Sequence, residues 1–423
     1  MSSIFCFRPA LLLRQLSAPL ALGLLLTACN SGSDTSDATT ATATTKPAGP
    51  QNDDGSWYRQ YRGLLPGSAD SITLHLQRLG SPSGEAALSR LVGFYAASDG
   101  HPYEIAGDLG LRGDSLNLHN ISNELAGDED EEPAEIAPQW LLKEQGDALV
   151  GIRNGQPVRL RRLEPVRGIQ FEAHRLSAEV AARPGHPEDS VSGRRTMQLL
   201  LPFQAPNQEL LAANIRRGLH GDSLDSMPVP VLDSIWQEQL RAFTRDYRTD
   251  AAPLLAANAK KSPADYQPLE NLAYEQEVNT YVLWNEGNLL SMGYFGYDYS
   301  GGAHGIYGTY VQSYDTRTGH SLRYDDIFKS GIKPQLQKLL GQYARPVVGL
   351  KASEPLSKAL AVNTLPVTRN VYLTSGGAVF VYLPYEIASY AKGQISVFVP
   401  FSALQGLLKP GLPVGNTAAV ASR

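Results

Sequence analysis

Cysteine is nearly missing from this chain: its 423 residues hold two, Cys6 and Cys29. Thiols this sparse provide no disulfide framework, so the fold must be held by burial. Histidine is also thin. The eight are His75, His101, His119, His174, His186, His220, His304 and His320, and no two lie three or four apart, so neither a metalloprotease helix nor another paired-histidine metal site can be written. No Gly-x-Ser-x-Gly elbow, phosphate loop or dinucleotide fingerprint occurs. No cofactor or metal is therefore expected. The net charge is -5, charged residues make up 19%, and no basic cluster forms, which argues against a nucleic-acid partner.

Long apolar runs are absent too. The longest near the start, 20–26, is too short to span a bilayer as a helix. It follows Arg8 and Arg14 and ends in Leu26-Thr27-Ala28-Cys29, which resembles a bacterial lipobox. That resemblance implies a signal peptide over 1–28, cleavage before Cys29 and acyl chains on that residue. Asn30 follows, where an aspartate would favour inner-membrane retention, so the expected address is the cell envelope, on the outer rather than the inner membrane. Cys29 would be the only cysteine left after cleavage, and its acylation removes it from catalysis. Several acyl chains make such an anchor stable.

What is present then falls into segments. Residues 29–56 are Ser, Thr, Ala, Gly, Asp and Pro without periodicity, a flexible tether. From 57 to 164, Ile72, Leu74 and Leu76 alternate with polar neighbours as in a half-buried strand. Further short strands are separated by Ser98-Asp99-Gly100, Arg112-Gly113-Asp114 and Arg153-Asn154-Gly155. This predicts a small all-β domain, an antiparallel meander either open or closed into a barrel. The acidic run 128–132 lacks the alternating ligands of a calcium loop and reads as an exposed loop.

A second domain is expected over 165–412, followed by a loose tail, 413–423. Strands are predicted near 171–179, 196–202 and 277–284, and a helix over 231–247 from Leu232, Ile235, Trp236, Leu240, Phe243 and Tyr247 on one face. Trp236 belongs to that apolar stripe, which favours a core position over sugar stacking. Ile332, Leu336, Leu339, Leu340 and Tyr343 mark another helix, with Pro334 tolerated in its first turn. Strands near 371–373, 379–383 and 395–399 close the domain. Strands and helices mix without strict alternation, which predicts α+β: an antiparallel sheet with packed helices.

The densest pattern lies at 289–328. Tyr294, Phe295, Tyr297 and Tyr299 precede Ser300-Gly301-Gly302-Ala303-His304-Gly305; Tyr307, Tyr310, Val311 and Tyr314 follow, up to the turn Asp315-Thr316-Arg317-Thr318-Gly319. Aromatic residues at period two around a glycine cluster predict two strands and a tight connection. The run from Tyr297 to Gly305, then Tyr314-Asp315-x-x-Thr318-Gly319-x-x-Leu322, then Asp325-Asp326-Ile327-Phe328, resembles the extracytoplasmic domain of lysozyme-sensing anti-sigma factors. That module occurs also in a peptidoglycan deacetylase and in many envelope lipoproteins. The closing signature is similar as well: Val379-Phe380-Val381-Tyr382-Leu383-Pro384-Tyr385-Glu386-Ile387-Ala388-Ser389-Tyr390, with Gly393 and then Val399-Pro400-Phe401. The resemblance implies a lysozyme-like ligand. No cytoplasmic sigma-binding segment or transmembrane helix is legible, so the signalling role is not expected to carry over.

The candidate ligand-binding residues are Tyr297, Asp298, Tyr299, Ser300, Gly301, Gly302, His304, Tyr307 and Asp315, with Tyr385 and Glu386 from the closing signature. Tyrosine offers broad contact area at low rotamer entropy, and Asp298 would steer a basic ligand. Other readings stay open. His304 can anchor its turn, contact a partner, or join Ser300, Asp298, Asp315 or His320 in a hydrolytic site. Glu386 can be a buried acid or a side chain that fixes a loop through backbone amides. The expectation is a protein- or glycan-binding module without enzymatic activity, the alternative being a cell-wall glycan hydrolase or a deacetylase-associated enzyme.

Overall fold

A computed structural model describes residues 55–80, 90–110, 115–122, 139–187, 189, 191–220, 231–261 and 269–414. The signal segment, Cys29, most of the tether, the turn at 112–114, the acidic run 128–132 and most of the tail lie outside the described residues.

The N-terminal unit is a closed barrel of eight antiparallel strands in sequence order: β1 Trp57–Leu64, β2 Ser71–Leu79, β3 Arg90–Ala96, β4 Pro102–Leu109, β5 Leu116–Asn120, β6 Trp140–Gln145, β7 Ala148–Arg153 and β8 Gln156–Arg162. Of the two forms the sequence allowed, the meander takes the closed one. Tyr61 and Arg62 of β1 pair with Arg162 and Arg161 of β8, which removes free edges. Alternation fills the interior with Leu74, Leu76, Leu91, Ile105, Leu118, Trp140, Leu142, Leu149 and Leu160. The β7–β8 hairpin turns on Asn154 and Gly155, both at positive φ, as a two-residue Asn-Gly turn demands.

Strand β2 departs from the half-buried pattern. Its outward residues Thr73, His75 and Gln77 are buried too, because the second unit packs against that wall. The seam is polar and hydrogen-bonded. Gln60 Nε2 donates to Asn285 O at 2.6 Å, Gln77 Nε2 to Thr280 O at 2.7 Å, and Gly80 N to Gln198 Oε1 at 3.0 Å. Asn285, fully buried, also accepts from Ile169 N at 2.7 Å and donates to Ile169 O at 2.7 Å. Removing such partners strands buried polar groups.

The second unit is built on a six-stranded sheet in the order β14-β13-β12-β11-β10-β9, from β9 Gln170–Val180, β10 Gly193–Phe203, β11 Glu275–Glu286, β12 Leu289–Tyr299, β13 Ile306–Asp315 and β14 His320–Leu322. All neighbours are antiparallel except β10 and β11. That parallel step needs a crossover, which α1 Gln208–His220 and α2 Leu232–Asn258 lie within. The helix predicted over 231–247 thus runs further, to Asn258, and α1 is additional. Trp236 is buried among Ile235, Leu200, Met292 and Tyr294, a core position.

The sheet's other face meets the barrel and a three-stranded sheet, β15 Val371–Leu373, β16 Gly377–Tyr382 and β17 Ile395–Pro400. Leu79 and Phe94 of the barrel share one apolar cluster with Tyr281, Leu283, Tyr372, Val379 and Val381. Between the sheets in sequence come the short α3 Tyr324–Ile327 and α4 Lys333–Val347, whose Leu336, Leu340 and Ala344 pack on Phe380, Val397 and Val399. The chain is therefore mostly β, an all-β barrel followed by a sheet unit with few helices.

Candidate functional site

Strands β12 and β13 pair from Leu289 opposite Asp315 to Asp298 opposite Ile306, leaving 299–305 to make the connection. Gly301 and Gly302 both hold positive φ, at +86 and +96, where a Cβ would be strained. Gly305 is needed for a different reason. A Cβ there would lie 2.4 Å from the ring of Tyr297, which is half-buried beneath it.

Several candidates act inside the loop. Tyr299 OH has two acceptors within reach of its one proton, Gly302 O at 3.2 Å and Asn271 Oδ1 at 3.1 Å. Asp298 is buried; its carboxylate accepts from Ser300 Oγ and from Gln276 Nε2. Gln276 in turn accepts from Arg195, whose pKa burial pushes down to about 10 against the opposing charge of Asp298. The expectation that Asp298 faces a basic ligand is thereby corrected: it is the counter-charge of a buried guanidinium. Paired burial of this kind is what makes each charge tolerable.

Asp315 is also displaced from the expected group. It sits at the far end of β13, about 30 Å from Ile306 by strand rise. There it accepts from Arg317 N at 3.0 Å and Nη2 at 2.6 Å, anchoring the turn to Gly319. His320 shares that far end as the register partner of Asp315. A ten-residue strand cannot bring its two ends together, so neither reaches His304.

His304 is exposed and keeps different company. Nδ1 lies 2.8 Å from Gly305 O; a carbonyl only accepts, so Nδ1 carries the proton, and in the neutral ring Nε2 is left to accept. Tyr385 OH lies 3.5 Å from Nε2. The imidazole stacks on Tyr390, with centroids 4.1 Å apart and planes at 21°. Tyr390 OH donates to the same Gly305 carbonyl at 2.7 Å. Tyr307, half-buried, meets Tyr390 edge-on at 5.7 Å. Both His304 nitrogens are thus engaged elsewhere, and Ser300 bonds to Asp298, so the loop does not assemble Ser300, His304 and Asp298 into a triad.

The turn Leu383-Pro384-Tyr385-Glu386 supplies the most unusual residue. Glu386 N donates to Leu383 O at 3.0 Å, closing a β-turn with Pro384 second and Tyr385 third. Tyr385 has φ +69, the left-handed value that this position of a type II turn normally gives to Gly or Asn. For a bulky side chain that costs about 1 kcal/mol or more. The residue is nevertheless 59% exposed, its ring propped by Tyr390 at 5.5 Å. Of the two readings open to Glu386 the structure favours the loop-fixing one, since the residue is exposed. Its Oε2 accepts from Leu383 N at 3.0 Å, fixing the turn, and partial desolvation of the carboxyl raises its pKa against that bond.

Sequence reasoning therefore found Tyr385 and His304 but omitted Tyr390, which joins them. It also missed a cavity of about 470 Å³ beside β13, which of the named candidates only Glu386 lines. Among the described residues no group of three His, Cys, Asp or Glu is placed to hold a metal ion.

Residues 325–402 match a family described as a protein of unknown function, DUF3298. Among solved structures, a DUF3298 family member from Bacteroides fragilis is similar over 60% of this chain and 100% of its own, at 22% identity and TM-score 0.50. A DUF3298 family protein from Pseudomonas aeruginosa is similar over 58% of this chain and 97% of its own, at 21% identity and TM-score 0.40. No curated protein matches. The first of these likenesses is one of fold.

Proposed function

We propose that this chain is a lipid-anchored binding module of the bacterial cell envelope, which engages an extracytoplasmic protein or glycan through the ridge of Tyr385, His304 and Tyr390. The observation that carries this reading is Tyr385: a large aromatic residue 59% exposed, on a backbone held at φ +69. Backbone strain that secures no burial of its own points to presentation of the side chain. Tyr385, set by a turn, lying against Tyr390 and reaching His304 Nε2 with its hydroxyl, has little conformational freedom left to lose on binding. The resemblance to lysozyme-sensing domains makes a lysozyme-like protein the first ligand to try. Cys29, by its lipobox, would tether the module to a membrane.

Tyr385→Gly separates presentation from folding. Glycine relieves the left-handed strain, so stability should stay within about 1 kcal/mol of wild type, while capture of lysozyme or of peptidoglycan fragments by immobilised 57–423 falls at least about tenfold. Unchanged capture would remove Tyr385 from the interface. Release of sugars or acetate from purified peptidoglycan by the wild-type protein would favour the hydrolase reading instead.

A further inference from the structure

The cavity of about 470 Å³ arises where the six-stranded sheet runs out. Strand β14 pairs only with Ser313, Tyr314 and Asp315, so on its outer edge the middle of β13 lacks a strand neighbour. Side chains take that place. Asn370 Oδ1 accepts from Val311 N at 2.8 Å, Asn370 Nδ2 donates to Thr309 O at 2.9 Å, and Gln394 Oε1 accepts from Thr309 N at 2.8 Å. This edge is capped against an added peptide strand. The chain around Asn370 stands off from helix α1, and the gap between them is the cavity.

Its lining is sorted by chemistry. Tyr294, Tyr310 and Tyr314 lie on alternate positions of paired strands, with Tyr294 directly opposite Tyr310. Leu322, Val367 and Leu383 supply aliphatic wall. Among the described residues the charged side chains of the lining are three guanidinium groups, Arg217, Arg323 and Arg369, and one carboxyl, Glu386. The carboxylates that pair with Arg323 and Arg369, Asp326 and Asp325, stand outside the lining. Arg217 is buried on the α1 wall, donating to Asn214 Oδ1 at 2.6 Å, and Asn214 is itself held by Gly319 O at 2.7 Å. Arg323 and Arg369 are exposed, at the mouth.

We propose that this cavity binds a small amphipathic anion, a carboxylate or phosphate monoester on an apolar body, with the headgroup at Arg217 and the body against Tyr310, Leu322 and Leu383. Its volume falls in the few-hundred-Å³ range of small-molecule sites, whose mostly apolar walls carry a few placed polar groups. A planar guanidinium fork matches either headgroup. The surface pairs of Arg323 and Arg369 are weak enough to open as an anion enters.

The test uses the full chain carrying Cys29→Ser, without detergent, titrated calorimetrically with decanoate, decyl phosphate, decanol and inorganic phosphate. Saturable binding of a decyl anion at one site is expected, with decanol and inorganic phosphate each at least about tenfold weaker. The tighter of the two anions then identifies the headgroup. Arg217→Gln should weaken the anions about tenfold or more without changing decanol. Val367→Trp should fill the space and abolish binding of both. If Arg217→Gln does not fold, Arg369→Gln and Val367→Trp decide, the former expected to cost a few-fold at low salt. Decanol binding as tightly as the anions, no saturable anion binding, or binding untouched by Val367→Trp would overturn the proposal.

Discussion

Glu104 of β4 sits at the seam between barrel and sheet unit, beside a small cavity of about 60 Å³ that it shares with His101, Tyr281, Tyr372 and Phe398. Burial raises its pKa from 4.5 to about 7; the hydroxyls of Tyr281, Tyr307 and Tyr372 are raised chiefly by their own burial and in lesser part by the Glu104 charge. In the folded chain Glu104 prefers to be neutral, so the native state holds a proton that the unfolded chain has released. The contribution is complete below about pH 4.5 and is lost as pH rises through about 7, a change worth at most about 3 kcal/mol. Water reaching the small cavity would trim this, leaving about 1 to 3 kcal/mol. His75 works in the opposite sense. Burial lowers its pKa to about 3, so the stability of the neutral ring is present above its ordinary 6.5 and is lost as pH falls towards about 3. The wild-type profile is a sum of such terms, and the Glu104→Gln difference isolates one of them. Urea melts of both proteins should show the variant gaining on wild type from about pH 5 to about pH 8, by about 1 to 3 kcal/mol in total. A difference that does not change with pH would refute the reasoning.

Three further outcomes are expected. Cys29→Ser should move the protein out of the membrane fraction and end incorporation of labelled fatty acid; equal labelling of wild type and variant would dismiss the anchor. His304→Ala should lower stability by only about 0.5 to 1 kcal/mol, since Gly305 O keeps its bond from Tyr390, while ligand capture drops; a loss of more than about 3 kcal/mol in thermal melts would make His304 an anchor instead. A fragment spanning 57–164 should melt cooperatively, because its barrel closes on its own core. Its midpoint should lie below that of the whole chain, as Gln60 and Gln77 lose Asn285 and Thr280. A fragment with no cooperative transition would mean that the seam is part of one shared core.

Local pattern was enough for much of the architecture. Alternation at Ile72, Leu74 and Leu76, the Asn154-Gly155 turn and the stripe from Ile235 to Tyr247 each describe a chain segment against a generic apolar surrounding, and such segments form wherever that surrounding is supplied. The glycines of 301–305 likewise announced a tight connection, because positive φ and close approach are properties of a backbone and its nearest neighbours. The outcomes that needed tertiary structure all depend on what arrives from a distance. The outer face of β2 is buried because the second unit covers it, so His75 and Gln77, polar in the sequence, became seam residues. Asp298 looked like a surface acid until Arg195, more than a hundred positions earlier in the chain, gave it a buried charge to balance. Asp315 looked close to His304 until the strand between them was extended at about 3.3 Å per residue. The cavity beside β13 left no local signature, since its arginines come from α1 and from chain flanking α3 and β15, and their meeting is fixed by the sheet order. The exposed ring of Tyr385 lies between the two cases. The closing signature already placed Tyr385 among the candidates, but only the fold showed that it is left-handed at the third position of a turn and that Tyr390 and His304 stand beside it.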